Sequence, residues 1–172
     1  SFIREAVGAA PPVSFQVSYR PDAARVKCAL VTAAHTRSPL DTDYRPKELA
    51  DIQGTPTIVH CLEQLADAGI LHVILVVAED AGAELIVSTI SSSGVRSRLE
   101  LSVVSMPSCS CHASGILAAR RLLPPEFLFV AGDHIFSPVL VRALMAEPMR
   151  ERDAARLLIE FDVDKLGGLP DT

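Results

Sequence analysis

The sequence predicts a doubly wound α/β domain, with a mainly parallel sheet sandwiched between helices. The first supporting observation is a series of short apolar runs that lack the alternation of a half-exposed strand. The second is that apolar residues at helical spacing follow each of the first four runs. Strands buried on both faces and joined through helices are typical of a parallel sheet covered on both sides.

The predicted strands are VKCALVT, HVILVVA, LELSVV, FLFVAG and ARLLIEF, at 26–32, 72–78, 99–104, 127–132 and 155–161. The predicted helices lie at 56–69, 80–94 and 112–123, and a fourth begins at Ser137. Pro124 and Pro125 should end the third helix, because proline lacks the amide that continues a helix. Ser137 is a suitable N-cap for the fourth helix, and Pro138 fits its first turn.

The first predicted helix has one apolar side and one polar side. Its apolar side is formed by Ile58, Leu62 and Leu65, and its polar side by His60, Gln64 and Asp67. Gly69 is placed to end the helix, because glycine readily adopts the left-handed conformation found there. We expect the polar side to face solvent, so that His60 is a solvated histidine and not a ligand.

The chain has 172 residues, enough for one domain with a buried core and too few for two ordinary domains. Residues 1–24 contain three prolines and show no sustained period. We predict an extended arm or linker over 1–24 and a single α/β domain over 25–172. The chain begins with serine, which favours a fragment or a processed product.

The composition argues against two classes of partner. Sixteen basic and 21 acidic residues give a net charge of -5 without a basic stripe, so we expect no nucleic-acid polymer as partner. The longest apolar runs are far shorter than the ~20 residues that span a bilayer, so no membrane is expected either. The oligomeric state is not indicated.

The four cysteines are not spaced as a disulfide framework, and we expect a reducing, cytoplasmic location. The segment Cys109 to His112 reads CSCH, which is half of a metal site at most. A tetrahedral zinc site needs a second pair of ligands, and no other pair is spaced to supply it. Ordinary buried or loop thiols are the favoured interpretation.

Ligands of doubly wound sheets bind beyond the carboxyl ends of the strands. In this chain those ends are Thr32–Arg37, Ala78–Asp80, Met106–His112 and Gly132–Phe136. The residues that carry chemistry should therefore be sought in these four segments.

Four stretches carry a resemblance: TAAHTR, RPKEL, ADIQGTPTIVHCLEQLADAGI and CHASGILAARRLLPPEFLFVAGDHIF. In that order they resemble the MobA-like nucleotidyltransferases, whose Rossmann-like fold is of the GT-A type. The GDHIF segment is most similar to the branch that transfers cytidylyl groups to phospho-alcohols. The resemblance covers about residues 26 to 160, the N-terminal, nucleotide-binding part of such a domain, and the family's C-terminal part is missing.

The resemblance implies a transferase reaction between a nucleoside triphosphate and a small phosphorylated substrate, with Mg²⁺ as cofactor. A phosphate monoester would attack the α-phosphorus, and pyrophosphate would leave. Because the developing charge lies on oxygens that are already anionic, such catalysis depends on positioning and electrostatic stabilisation.

The resemblance also assigns roles to particular residues. Arg37 would bind the β- and γ-phosphates through paired hydrogen bonds from its planar guanidinium group. Lys47 would bind a phosphate through its localised positive charge. Asp133 would hold the metal through a hard oxygen ligand. The remaining nucleotide-binding residues would be Ala33, Ala34, His35, Thr36, Ala113, Ser114 and Gly115.

Each of these residues also has an ordinary structural interpretation. Arg37 and Lys47 could be solvated charges of a polar loop, and Asp133 could cap the following turn or helix. His134 could contact substrate or only pack at the edge of the sheet.

The loop after the first strand departs from the family pattern. The family has two glycines there, whereas this chain has Ala33-Ala34-His35-Thr36-Arg37. Those glycines let backbone amides converge on the triphosphate, so their loss favours an alternative, a catalytically impaired relative with a regulatory or protein-interaction role. A dinucleotide-dependent oxidoreductase is disfavoured, because no Gly-x-Gly-x-x-Gly follows the first strand.

Overall fold

The computed structural model describes residues 26–34, 46–107 and 112–158. Several predictions concern residues outside these ranges. They are the arm at 1–24, the loop residues His35, Thr36 and Arg37, the thiols Cys109 and Cys111, and the last part of the predicted fifth strand. The boundary of the α/β domain at residue 25 likewise stays a prediction.

The strands are β1 (Cys28–Ala33), β2 (Asp51–Ile52), β3 (Thr55–Pro56), β4 (His72–Ala78), β5 (Glu100–Met106) and β6 (Leu128–Ala131). The helices are α1 (Thr57–Ala68), α2 (Ala81–Ser92), α3 (His112–Ala119) and α4 (Pro138–Ala146). Two short 3₁₀ turns cover Lys47–Leu49 and Gly94–Ser97. The main sheet is parallel with the order β5-β4-β1-β6, and β2 and β3 form a separate hairpin.

Two hydrophobic clusters cover the two faces of this sheet. The first joins β1 and β4 to α1, α2 and α4, and the second joins the opposite faces of the same strands to α3. Every residue of β1 is buried, as is all of β4 after its first residue. This burial on both faces is why the runs of β1 and β4 are continuously apolar. The predicted doubly wound α/β sandwich is confirmed.

The end of α1 shows how the sequence determines a local boundary. Gly69 has φ 95°, and its amide donates to the carbonyl of Ala66, while the amide of Ile70 donates to that of Leu65. These two bonds form a Schellman motif, in which Ile70 and Leu65 are both buried. The prediction that Gly69 ends this helix is confirmed.

Two predicted elements differ from the structure. α3 ends at Ala119, before the prolines, because the chain turns there and brings Leu123 and Phe127 against the second cluster. Residues 155–158 of the predicted fifth strand form no strand. In this segment Arg156 donates to the carbonyls of Glu147 and Pro148, which holds it beside the end of α4.

Candidate functional site at the carboxyl ends of β1 and β6

The order of the strands marks where a ligand of this fold would bind. From β1 the chain proceeds to β4 and β5 on one side, and then crosses to β6 on the other side. In open α/β sheets such a reversal marks the usual ligand crevice at the carboxyl ends of the two strands on either side, which here are β1 and β6. Residues that follow these two strands are therefore the first candidates for a site.

Thr32 joins the elements around this crevice. Its carbonyl accepts a hydrogen bond from the amide of Gly132 at 2.9 Å. Its hydroxyl lies 3.2 Å from Nδ1 of His112, the first residue of α3, and the ring of His112 packs edge-on against Phe129. A Cβ on Gly115 would lie 2.8 Å from Cγ2 of Thr32, so the first turn of α3 must approach β1 closely.

Gly132 brings β6 equally close to its neighbours. A Cβ at this position would lie 2.8 Å from Cδ1 of Ile58 and 3.3 Å from the carbonyl oxygen of Thr32. Ile58 belongs to α1 and is fully buried, so little room exists for a side chain. Glycine here lets β6 end close to Thr32, so that Asp133, the next residue, lies beside the carboxyl end of β1.

Lys47 reaches the crevice from the segment before α1. Pro46 packs against the first turn of α2, since a Cβ on Gly82 would lie 2.8 Å from Cγ of Pro46. Leu49 is buried in the first cluster. With contacts on both sides of Lys47, the backbone of the Lys47–Leu49 turn is held and the ammonium is directed toward β6.

The charged groups meet at Asp133. Nζ of Lys47 lies 2.6 Å from Oδ2 of Asp133, and Nδ1 of His134 lies 2.8 Å from Oδ1 of the same carboxyl group. Because a carboxylate only accepts hydrogen bonds, both nitrogens are donors. The side chains of Lys47 and Asp133 are 23% and 22% exposed, so solvent and small ligands can reach the pair.

These contacts set the ionisation of the site. Partial burial by itself raises the pKa of Asp133, but the hydrogen bonds and charges of Lys47 and His134 outweigh it and lower the pKa from 3.8 to about 2. Asp133 is therefore ionised at neutral pH. The pKa of the nearby thiol of Cys61 moves the other way, to about 12, because of burial and the Asp133 charge.

The structure brings part of the predicted residue set together. Lys47 and Asp133 are in contact, and Ala33 and Ala34 are buried at the end of β1. Ala113, Ser114 and Gly115 form the first turn of α3, which packs on Thr32 through Gly115. His35, Thr36 and Arg37 lie outside the described residues, so whether Arg37 faces Asp133 stays a prediction.

The contacts of the described residues bear on three of the ordinary interpretations. Lys47 is not a loosely solvated charge, because its ammonium pairs with Asp133. Asp133 does not cap the next helix, because the N-cap position of α4 is occupied by Ser137. The largely exposed ring of His134 donates to Asp133, and whether it also contacts substrate stays a prediction.

Sequence reasoning missed two residues that organise this site. Thr32 was assigned only to the end of a strand, although a polar residue that closes a fully apolar run was a usable indication. Gln64 was placed on a solvent-facing side of α1, whereas its Oε1 accepts a hydrogen bond from the amide of Phe136 at 2.9 Å. No sequence pattern indicates that contact, which joins two elements distant along the chain.

The donors in the crevice do not form a closed metal cage. Within the described residues, no group of three or more His, Cys, Asp or Glu side chains is arranged to hold a metal ion. A single ionised carboxylate fits a different arrangement, in which one protein carboxylate and substrate phosphates share a Mg²⁺ ion. Among the described helices, none has the length and apolar character to cross a membrane.

Two curated proteins and one solved structure illustrate what this chain is similar to. CMP-5'-(3-aminopropyl)phosphonate synthase of Streptomyces rubellomurinus is 31% identical over 137 residues, which are 78% of this chain and 21% of that protein. UTP–glucose-1-phosphate uridylyltransferase of Haloferax volcanii is 25% identical over 126 residues, 72% of this chain and 49% of that protein.

The structure of the inositol-1-phosphate CTP transferase from T. maritima shares the fold, with a TM-score of 0.54 at 23% identity. The superposition covers 66% of this chain and 46% of that one. The chain thus spans less than half the length of each of these three proteins. Residues 30–161, most of the chain, match the MobA-like NTP transferase domain, and the chain belongs to that family.

Proposed function

We propose that this chain is the nucleotide-binding part of a transferase that moves a nucleotidyl group, with cytidylyl as the expected one, from a nucleoside triphosphate to a phospho-alcohol or sugar phosphate. An oxygen of the acceptor phosphate forms the new bond to the α-phosphorus. The bond from the α-phosphorus to the bridging oxygen breaks, and pyrophosphate leaves with that electron pair. No nucleophilic side chain is required.

The observation that carries the proposal is the pairing of Lys47 with Asp133 across the ends of the sheet. A cation and a hard anion, side by side in the crevice where this fold binds ligands, suit a triphosphate and its metal ion. Lys47 would leave Asp133 for a phosphate oxygen when the nucleotide binds. Since the ammonium is a point charge on a flexible stem, this exchange needs no movement of the backbone.

Asp133 is the residue that would hold Mg²⁺. Its carboxylate is ionised, and it becomes available when Lys47 turns to the nucleotide. Mg²⁺ commonly keeps several waters and takes only one or two protein carboxylates beside substrate phosphates, which one Asp can satisfy. Bound there, the ion would neutralise charge that develops on the phosphate oxygens. His134 would keep the carboxylate oriented through Oδ1.

The expected base and acceptor have separate support. The Streptomyces relative is named for a product in which CMP is joined to a phosphonate, and the T. maritima protein for a CTP and an inositol phosphate. The Haloferax relative is named for UTP and glucose 1-phosphate. The GDHIF segment of this chain favours the cytidylyl branch, and we propose CTP before UTP on that basis.

One feature of the sequence favours a second function. In this alternative the chain is a catalytically impaired relative that binds nucleotide weakly or associates with a protein. The loop after β1 has alanine and histidine where the family has glycine. Losing one preorganised donor to a developing charge typically costs about 10²–10³ in rate. Under this alternative the Lys47–Asp133 pair would be a structural ion pair only.

Calorimetric titration with CTP, UTP, GTP and ATP, each with Mg²⁺, tests the proposal. We expect binding, tightest for CTP, followed by pyrophosphate release when a phospho-alcohol is added. Lys47→Met should weaken binding by about 10- to 100-fold, since hydrogen bonds to charged groups contribute roughly 1.5–3 kcal/mol.

Lys27→Met is the matched control, because Lys27 is exposed at the amino end of β1, away from the crevice. It should leave nucleotide affinity unchanged. Absence of binding for all four nucleotides would defeat the proposal for this chain. Binding without pyrophosphate release would favour the impaired relative.

A further inference from the structure

The polar side of α1 is partly exposed, yet it makes hydrogen bonds to the rest of the molecule. Each of its three residues bonds to a different part of the molecule, with the contacts one helical turn apart. Nε2 of His60 lies 3.0 Å from the carbonyl oxygen of Ile52. Oε1 of Gln64 accepts from the amide of Phe136, and the carbonyl of Asp67 accepts from Arg142. This side of α1 therefore connects the hairpin, the loop after β6 and α4.

The loop after β6 carries Asp133 and is held at three amides. The amide of Gly132 donates to the carbonyl of Thr32, and the amide of His134 to the carbonyl of Ala131. These two anchors are backbone groups of the sheet. The third anchor is the amide of Phe136, and its acceptor is the side chain of Gln64. Of the three, only the Gln64 contact depends on the identity of a side chain.

The same helix holds the segment that carries Lys47. The amide and the hydroxyl of Thr57, at the start of α1, both donate to the carbonyl of Ala50 at 2.9 Å. Ala50 directly follows the Lys47–Leu49 turn, and His60 holds the hairpin that comes next. Ile58 and Leu62 are fully buried, so α1 is held firmly in the core. Both the Lys47 segment and the loop after β6 are attached to it.

We propose that Gln64 is a positioning residue of the site: by holding the loop after β6 on α1, it sets the separation between Asp133 and Lys47. The loop bonds to Gln64 in the middle of α1, and the Lys47 segment bonds to Thr57 at its start, about 10 Å earlier along the helix axis. Without Gln64, the loop between Asp133 and α4 keeps its sheet anchors and the packing of Phe136 on the first cluster, but loses its hydrogen bond to the helix. The inference rests on the proposed function insofar as this separation serves a nucleotide.

Three variants separate positioning from general stability. Gln64→Leu removes the acceptor and keeps a helix-forming side chain of similar size. Gln64→Glu keeps an acceptor oxygen for the amide of Phe136 and should rescue the contact. Glu63→Leu, on the neighbouring position of α1, is the control, because Glu63 makes no side-chain hydrogen bond within the described residues. Gln64→Met replaces Gln64→Leu if the latter does not fold.

Two measurements need no ligand. Hydrogen exchange at the amide of Phe136 should accelerate by about fivefold or more in Gln64→Leu, as expected for the loss of a hydrogen bond, and stay unchanged in Gln64→Glu and Glu63→Leu. A double-mutant cycle with Lys47→Met and Asp133→Asn gives the coupling between the two charges. This coupling should fall by at least half in the Gln64→Leu background and persist in the Glu63→Leu background.

A third measurement uses Mn²⁺ with CTP, titrated calorimetrically. We expect affinity to fall about fivefold or more in Gln64→Leu and to recover in Gln64→Glu. Faster exchange at Phe136 with unchanged coupling between Lys47 and Asp133 would overturn the positioning role. If the unsubstituted protein binds no nucleotide, the proposed function fails, whereas the coupling cycle still decides the role of Gln64.

Discussion

The ammonium of Lys47 lies 2.6 Å from a carboxylate oxygen of Asp133, although three helices and three strands of the main sheet intervene along the chain. The contact exists because Pro46 is packed against α2, and Gly132 lets β6 end close to β1. Four elements thus place one cation and one anion together at the carboxyl ends of β1 and β6.

We predict that this ion pair contributes modestly to stability. Lys47→Met and Asp133→Asn should each destabilise the fold, and the double variant should be less destabilised than their sum. The coupling should be about 0.5–1 kcal/mol, because both side chains remain partly exposed and are screened by solvent. Urea unfolding of the four proteins measures it. Strict additivity of the two substitutions would contradict an energetic pairing.

The stability of the protein should fall in acid through Asp133. Its pKa is lowered to about 2 in the folded state, below the ordinary value of 3.8, so the folded state binds this proton more weakly than the unfolded state. The contribution is fully present above about pH 5 and is lost as the pH falls through about 4 to about 2. After solvent screening we expect about 1 kcal/mol.

The measurement compares urea unfolding of the unsubstituted protein and Asp133→Asn across this pH range. Their difference in unfolding free energy should shrink below about pH 4, where the carboxylate is progressively protonated in the unfolded state. Glu100→Gln, at an exposed position at the amino end of β5, is the control. A difference that stays constant down to about pH 2 would contradict the assignment.

Gly115→Ala should destabilise the protein, although alanine favours a helix by about 1 kcal/mol over glycine. The new Cβ would lie 2.8 Å from Cγ2 of Thr32, a short and buried side chain that cannot move aside. We expect a net loss of about 1–3 kcal/mol, the usual cost of overpacking. Gly94→Ala is the control, since nothing lies within 4 Å of a Cβ there. Thermal unfolding of both variants distinguishes the outcomes, and equal effects would refute the close approach.

Cys61 should be chemically inert in the folded protein. Burial and the charge of Asp133 raise its thiol pKa to about 12, so almost no reactive thiolate exists at neutral pH. Iodoacetamide labelling followed by peptide mapping should modify Cys61 only after unfolding in urea. Labelling under native conditions at the rate of a free thiol would show that the first cluster opens near Asp133.

Much of the fold could be predicted from local patterns in the sequence. The runs that became β1 and β4 are apolar because both faces of these strands are covered, and Gly69 ends α1 through a left-handed turn. The segment at 155–161 has the same apolar pattern, yet its described part forms no strand and exposes Leu157. An apolar run indicates burial but not the partner that buries it, so this prediction was wrong in its described part.

The candidate site, like the fold, was predicted only in part. The sequence by itself determined the sheet class, because apolar runs and helical spacing are local properties. Its resemblance to the family supplied the candidate residues Lys47 and Asp133, and the edge where ligands bind stays a prediction. Only the tertiary structure decided that Lys47 pairs with Asp133, that Thr32 joins β1 to α3 and β6, and that Gln64 faces a loop instead of solvent. Each of those contacts joins segments far apart in the chain, and their geometry depends on how helices pack across the sheet, which no local pattern encodes.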